Sequence, residues 1–213
     1  MYNGTGVSME KVNTVLFPWD EVAPEIDRVI ARSGCPPWKR DSLEKPAKSS
    51  VEELMKTAEP LALYRNLEVL ETGDRIIRTR EISFESRSLV RYLGSPSVIT
   101  LFLATAGPTP EFRSEELSAG GRHLESYMLD SAASELVEKT ARSLQMRIAE
   151  QLRGCTSTAR FAPGFGDLAL DCQEEILDLL KAGEYGIGLV EDSCMLVPAK
   201  TATGVIGWHR RKN

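Results

Sequence analysis

The sequence is poor in the residues that hold metals. Its 213 residues contain two histidines, His123 and His209, and four widely separated cysteines: Cys35, Cys155, Cys172 and Cys194. Zinc sites built from thiolates need close cysteine pairs, and imidazole sites need several histidines. We therefore expect no metal site, and the absence of close cysteine pairs fits a reducing compartment.

Long apolar runs are also missing. No stretch of eighteen uninterrupted apolar residues occurs, and the N-terminus lacks a basic start followed by an apolar segment. Membrane spans and secretory signals require these features. We therefore expect a cytoplasmic protein that does not enter a membrane.

An excess of positive charge is lacking as well. Lys and Arg total 26 against 31 Asp and Glu, which gives a net charge of −5. Phosphate backbones and anionic lipid surfaces repel such a chain, so we expect no nucleic-acid partner. The one basic run, residues 208–212, is interpreted as a solvated terminus.

What the sequence contains is enough material for a packed core. Apolar residues make up 42% of the chain, and its length suits one domain. Pro36-Pro37 and the polar stretch 45–50 predict an N-terminal helical segment, residues 1–48, docked on a main body of residues 49–213. In the N-terminal segment, helical spacing predicts a helix over 19–33. In the main body, Ser50-Val51-Glu52-Glu53 predicts a capping box that begins a second helix.

The main body predicts a mixture of helices and strands. β-Prone runs at 67–70 and 76–79 flank a hairpin turn, and residues 98–104 read as a strand buried on both faces. A four-residue apolar repeat predicts one long helix over about 121–153. Further elements are predicted as helices at 88–93 and 174–181 and short strands at 187–190, 195–197 and 205–208. This order indicates an α+β fold with a mixed or antiparallel sheet.

The segment 160–167 is the most unusual local sequence. Its order is Arg160-Phe161-Ala162-Pro163-Gly164-Phe165-Gly166-Asp167. Arginine can grip a carboxylate, glycine lets the main chain approach a ligand, and proline stiffens the turn. A ligand-binding loop is one interpretation. The other is a surface turn in which both phenylalanines pack down and Arg160 pairs with an acid.

The long helix carries three acids beside its apolar stripe. Asp130 and Glu138 are eight residues apart and point the same way, with Glu135 between them. They either solvate the helix or face the Arg160 segment. Nothing resembles a nucleophile elbow or a phosphate loop, so we assign no catalytic residue.

Several segments together resemble the activation domain of cobalamin-dependent methionine synthase, in its free-standing form. The resemblance covers about residues 88–208. It rests on Leu89-Val90-Arg91-Tyr92-Leu93, residues 101–107, Leu129-Asp130-Ser131-Ala132-Ala133 with Val137-Glu138, residues 160–167, Leu170 with Gln173, and residues 195–204.

The family implies an α+β domain with a twisted, mainly antiparallel sheet that binds S-adenosylmethionine. By this resemblance, Arg160 would bind the methionine carboxylate, and Glu138 would face the amino or sulfonium end. The main chain of Phe161, Ala162, Pro163 and Gly164 would frame the adenosine. Phe165 stands where the family usually has tyrosine, so it would contribute stacking without a hydroxyl.

The resemblance also implies a role. The chain would present the methyl group of S-adenosylmethionine to cob(I)alamin during reductive methylation. The corrinoid would arrive on methionine synthase or a similar corrinoid protein, and the electron on a flavodoxin-like or ferredoxin-like protein. Two alternatives stay open: a regulatory or docking module that has lost the ligand, and an activator of a different corrinoid enzyme.

Overall fold

A computed structural model describes residues 11–211. Residues 1–10, part of the predicted N-terminal segment, and Lys212 of the basic run lie outside this range. None of the helices within it combines the length and apolar character needed to cross a bilayer. The elements are β1 (Asn13–Leu16), α1 (Trp19–Val22), α2 (Ile26–Arg32), α3 (Arg40–Thr57), β2 (Leu61–Glu68), β3 (Glu71–Thr72), β4 (Ile76–Arg78), β5 (Ser83–Glu85), α4 (Arg87–Leu93), β6 (Val98–Thr105), α5 (Thr109–Ala119), α6 (His123–Gln151), β7 (Cys155–Ser157), α7 (Cys172–Leu179), β8 (Gly188–Leu189), β9 (Leu196–Val197) and β10 (Thr201–Arg210).

The main sheet is antiparallel and has the order β1-β2-β6-β10-β7. Its middle strand, β6, is buried on both faces, as its uninterrupted apolar sequence predicts. Two small sheets, β3-β4-β5 and β8-β9, lie outside it. The predicted α+β class with an antiparallel sheet is confirmed.

Each face of the main sheet packs against its own helices. Apolar residues of α2, α3 and α6 cover one face, where they meet Phe102, Ile206 and Trp208. Residues of α4 and α7 cover the other face, where they meet Leu101 and Val205. Alternation of side chains along β6 and β10 supplies both cores from the same two strands.

The predicted long helix is present as α6. It begins two residues after Gly121 and ends three residues before Gly154, and both glycines have positive φ angles of 76° and 93°. Its buried residues recur every three to four positions against the sheet. The periodic apolar stripe therefore predicted this element correctly.

The N-terminal helix predictions need correction. The predicted helix over 19–33 is two helices, α1 and α2, because Pro24 falls between them and cannot continue a helical turn. The predicted capping box is wrong, since Ser50 lies inside α3 and its hydroxyl donates to the carbonyl of Pro46 at 2.9 Å. The predicted division after residue 48 thus falls within a continuous helix, and the two-part organisation stays a prediction.

Some β-strand bounds differ from the predicted ones. The run 67–70 is not the first strand of the hairpin: Leu67 and Glu68 end β2, and the hairpin pairs β3 with β4. The last strand is longer than predicted, because β10 pairs with β6 from Thr201 onward. Trp208 is buried within it, and His209 Nε2 lies 2.7 Å from the Leu93 carbonyl oxygen, so among the described residues of the basic run only Arg210 and Arg211 are exposed.

Candidate functional site

The segment after β7 covers an edge that the main sheet leaves open. β7 pairs only with residues 208–210 of β10. Farther along β10, Phe161 takes the place of a strand residue, because its N–H donates to the Val205 carbonyl at 2.9 Å and its carbonyl accepts from the Val205 N–H at 2.8 Å. The main chain around Phe161 is therefore fixed to the sheet.

A cavity of about 730 Å³ lies between this segment, α6 and β10. This volume falls in the range of small-molecule sites. Five of the seven predicted ligand residues line it: Glu138, Arg160, Phe161, Ala162 and Phe165. Pro163 and Gly164 are not among its lining residues.

Two charged side chains meet inside the cavity. The Arg160 guanidinium forms an ion pair with the Glu138 carboxylate and donates a second hydrogen bond to Gln145 Oε1 at 3.4 Å. Both charged side chains are partly buried. The predicted pairing of Arg160 with an acid is confirmed, and it occurs within a cavity rather than on a plain surface turn.

The other two acids predicted beside the apolar stripe of α6, Asp130 and Glu135, do not line the cavity. Asp130 pairs with Lys200 at 2.7 Å, and Glu135 pairs with Arg32 at 3.0 Å. Asp130 and Glu138 point the same way from α6 but do not meet at one site, because Asp130 pairs with Lys200 and Glu138 pairs with Arg160.

Aromatic rings form one wall of the cavity. The Phe161 ring is buried and lies 5.1 Å from the Tyr92 ring and 6.2 Å from the Phe165 ring, centroid to centroid. Phe165 itself is 66% exposed. The interpretation that both phenylalanines pack down is therefore correct for Phe161 and wrong for Phe165.

Pro163 and Gly164 shape the turn between these aromatics. Pro163 is buried, and Gly164 has a φ of 84°, a conformation that L side chains rarely adopt. The Gly164 N–H donates to the Leu168 carbonyl at 2.9 Å. These two residues thus hold the fold of the segment, while their neighbours face the cavity.

Asp167 fastens the far end of the segment to α4. One carboxylate oxygen accepts from the Ser86 hydroxyl at 2.6 Å and the Ser88 N–H at 2.9 Å, and the other accepts from the Arg87 N–H at 3.0 Å. These bonds lower the pKa of Asp167, with the Ser86 hydroxyl contributing most. This role could not be predicted from the sequence, because the partners of Asp167 lie at the start of α4, about 80 positions earlier.

The structure adds polar residues to the site that sequence analysis missed. Arg142 and Gln145 follow Glu138 at i+4 and i+7 on α6 and line the same cavity. Their spacing was the available signal, since residues at these intervals share one helix face. Tyr92 and Thr203 also line it. Among residues 11–211, no three His, Cys, Asp or Glu side chains are arranged to hold a metal ion.

Comparison with known proteins identifies the architecture. No family model and no curated protein matches the chain by sequence. Among solved structures, one described as "Crystal Structure of the MetH Reactivation Domain bound to AdoHcy" matches with a TM-score of 0.73 at 16% identity, covering 100% of this chain and 84% of that chain. Over its whole length, the chain therefore has the fold of the MetH reactivation domain.

Proposed function

We propose that the cavity binds S-adenosylmethionine and that the chain serves as a reactivation subunit for a corrinoid-dependent methyltransferase. One observation carries this proposal. The predicted ligand residues Arg160, Glu138 and Phe165 meet in a single cavity, within a fold shared with a domain solved with AdoHcy.

The charges in the cavity complement an amino acid. Arg160 offers a guanidinium that can bind a carboxylate through two parallel hydrogen bonds. Glu138, its present partner, offers a carboxylate to an ammonium group. A zwitterionic ligand would separate the pair and give each side chain a new opposite charge.

The aromatic wall complements a nucleoside. Phe165 is exposed at the cavity, with Tyr92 and Phe161 behind it. A purine base stacked on an aromatic ring gains roughly 1 to 3 kcal/mol. The turn at Gly164 lies between Ala162 and Phe165, and both of these residues line the cavity. The base would therefore lie against Ala162 and Phe165.

The residues of the cavity suit the transfer of a methyl group from a sulfonium. The departing thioether is neutral, so the chain needs no general acid or base. When bound on its partner protein, the corrinoid supplies the nucleophile. The chain's residues bind and orient the donor, which can lower a barrier by on the order of 7 to 11 kcal/mol. The electron would come from a flavodoxin-like or ferredoxin-like protein.

One observation favours a second candidate. Arg160 and Glu138 neutralise each other's charge. A regulatory or docking module that kept the fold and lost its ligand could retain this pair for stability alone. Ligand titration separates the two candidates.

The test is calorimetric titration of the chain with S-adenosylmethionine and S-adenosylhomocysteine. We expect both to bind, and Arg160→Ala to weaken binding by roughly 1.5 to 3 kcal/mol, the scale of a lost charged hydrogen bond. Arg78→Ala is the matched control, since Arg78 also pairs with a carboxylate, Glu71 at 3.0 Å, but lies in the small β3-β4-β5 sheet.

Absence of binding by the parent chain favours the regulatory module. Equal affinity of parent and Arg160→Ala removes Arg160 from the site. If binding is found, methyl transfer to a cob(I)alamin-loaded corrinoid protein in the presence of a reductant tests the reactivation role.

A further inference from the structure

Gln145 occupies an unusual position beside the ion pair of the cavity. It lies two helical turns after Glu138 on α6, on the same helix face. Its amide oxygen accepts from Arg160 Nη1 at 3.4 Å, while Glu138 pairs with Nη2. The guanidinium is thus held from α6 by two side chains through two different nitrogens.

The amide of Gln145 is fixed from its other side. Its Nε2 atom donates to the Ser157 hydroxyl at 2.9 Å and to the Thr158 carbonyl at 2.8 Å. Only the NH₂ group can make these two bonds, so they determine which atom of the amide faces Arg160. The amide oxygen is therefore directed at the guanidinium by the main chain at the end of β7.

These contacts divide the two partners of Arg160 into one that can leave and one that stays. A bound zwitterion would offer its ammonium group to Glu138 and draw it from the guanidinium. Gln145 carries no charge, and its amide is hydrogen-bonded to Ser157 and Thr158. A ligand ammonium group therefore attracts it less than it attracts the Glu138 carboxylate, and Gln145 stays in place. The neutral amide also leaves the positive charge of Arg160 available to a carboxylate.

We infer that Gln145 is the positioning residue that keeps the Arg160 guanidinium in the cavity for the ligand carboxylate when Glu138 turns to the ligand. This inference rests on the proposed function. Gln145 would act through Arg160 and need not touch the ligand, so its effect should depend on the carboxylate of the ligand.

The experiment compares two ligands in four proteins. S-adenosylhomocysteine carries the amino-acid end, whereas 5′-methylthioadenosine shares the nucleoside and thioether and lacks that end. Affinities are measured for the parent, Gln145→Met, Arg160→Ala and the double variant. Methionine matches glutamine in length and removes all of its hydrogen bonds, so the substitution keeps the volume of the side chain.

We expect Gln145→Met to weaken S-adenosylhomocysteine binding roughly tenfold and to change 5′-methylthioadenosine binding by less than about twofold. In the Arg160→Ala background, Gln145→Met should cause no further loss for either ligand. This pattern would assign the effect of Gln145 to Arg160.

Three results would overturn the inference: unchanged S-adenosylhomocysteine affinity in Gln145→Met, equal losses for both ligands, or full losses that add in the double variant. Equal losses would indicate that Gln145 only supports β7 and the cavity wall. A parent chain that binds neither ligand is a different outcome, because it overturns the proposed function and the role of Gln145 together.

Discussion

Asp167 and Ser86, 81 positions apart in the sequence, share a hydrogen bond of 2.6 Å between carboxylate and hydroxyl. Ser86 in turn accepts from the Leu89 N–H at 2.9 Å as the N-cap of α4. The segment that carries Arg160 and Phe165 therefore ends on the first turn of the helix that carries Tyr92. The two sides of the aromatic wall are joined through this contact.

The contact predicts a pH-dependent loss of stability in Asp167→Asn. The folded state lowers the pKa of Asp167, so its stabilising contribution is complete above the unfolded value of about 3.9 and is lost as the pH falls toward the lower folded value. Urea unfolding should show a lower midpoint for Asp167→Asn at pH 7 and a smaller difference below about pH 4.

The control for this prediction is Asp178→Asn. Asp178 is exposed and has no side-chain hydrogen bond within the described part of the chain, so its midpoint should follow the parent at both pH values. A difference for Asp167→Asn that does not change with pH would contradict the assigned role of the carboxylate charge.

Gly204→Ala should destabilise the packing of β10 against Phe102 and Phe161, two residues that line the cavity. A Cβ at Gly204 would lie 2.8 Å from a ring carbon of Phe102 and 2.8 Å from the Phe161 carbonyl oxygen. Both neighbours are buried, so we expect a loss of about 1 to 3 kcal/mol in the free energy of unfolding. Gly183→Ala is the control, because a Cβ there meets nothing within 4 Å. Equal stability of the two variants would contradict the tight packing.

Phe165→Ala should weaken ligand binding without unfolding the chain. The ring is exposed, so its removal costs little packing, whereas a lost base–aromatic contact should reduce S-adenosylhomocysteine affinity by about 1 to 3 kcal/mol. Phe165→Tyr keeps the ring and should bind at least as well as the parent. Calorimetry measures both, and an unchanged affinity in Phe165→Ala would place the adenosine elsewhere.

Trp208→Phe should disturb a buried polar network between β2, β6 and β10. Trp208 Nε1 donates to Thr100 Oγ1 at 2.8 Å, and that hydroxyl donates to Asn66 Oδ1 at 2.6 Å. Losing the indole N–H should lower the free energy of unfolding by about 1 to 3 kcal/mol. Trp38→Phe, at an 80% exposed position, should change it by less than about 0.5 kcal/mol. Similar effects at both positions would contradict a role for the buried bond.

The elements with strong periodicity were predictable from sequence, and those that depend on context were not. The stripe of α6 and the apolar run of β6 each identify a single structure. Pro24 and Pro46 have opposite effects on the helices around them: Pro24 separates α1 from α2, whereas Pro46 lies inside the continuous helix α3. Burial of Leu43 and Leu54 on one face keeps α3 continuous, and this packing is a tertiary effect.

The candidate site shows the same limit. The family resemblance named five residues that line the cavity. Four of them lie in the distinctive segment 160–167, and Glu138 lies in a second matched segment on α6. It assigned no role to Gln145, whose contacts are with Ser157 and Thr158, or to Asp167, whose partners are Ser86, Arg87 and Ser88 at the start of α4. Contacts between distant segments leave little trace in one sequence, because each partner alone is an ordinary polar residue.

The two fixed ends of segment 160–167 affect the energetics of recognition. Phe161 is held by β10 and Asp167 by α4, so the main chain between them loses its conformational freedom during folding. Ordering a loop at the moment of association reduces affinity, whereas a preorganised loop avoids that entropic cost. A ligand that binds against Phe165 would therefore meet a main chain that is already ordered, and only side chains would need to rotate on binding.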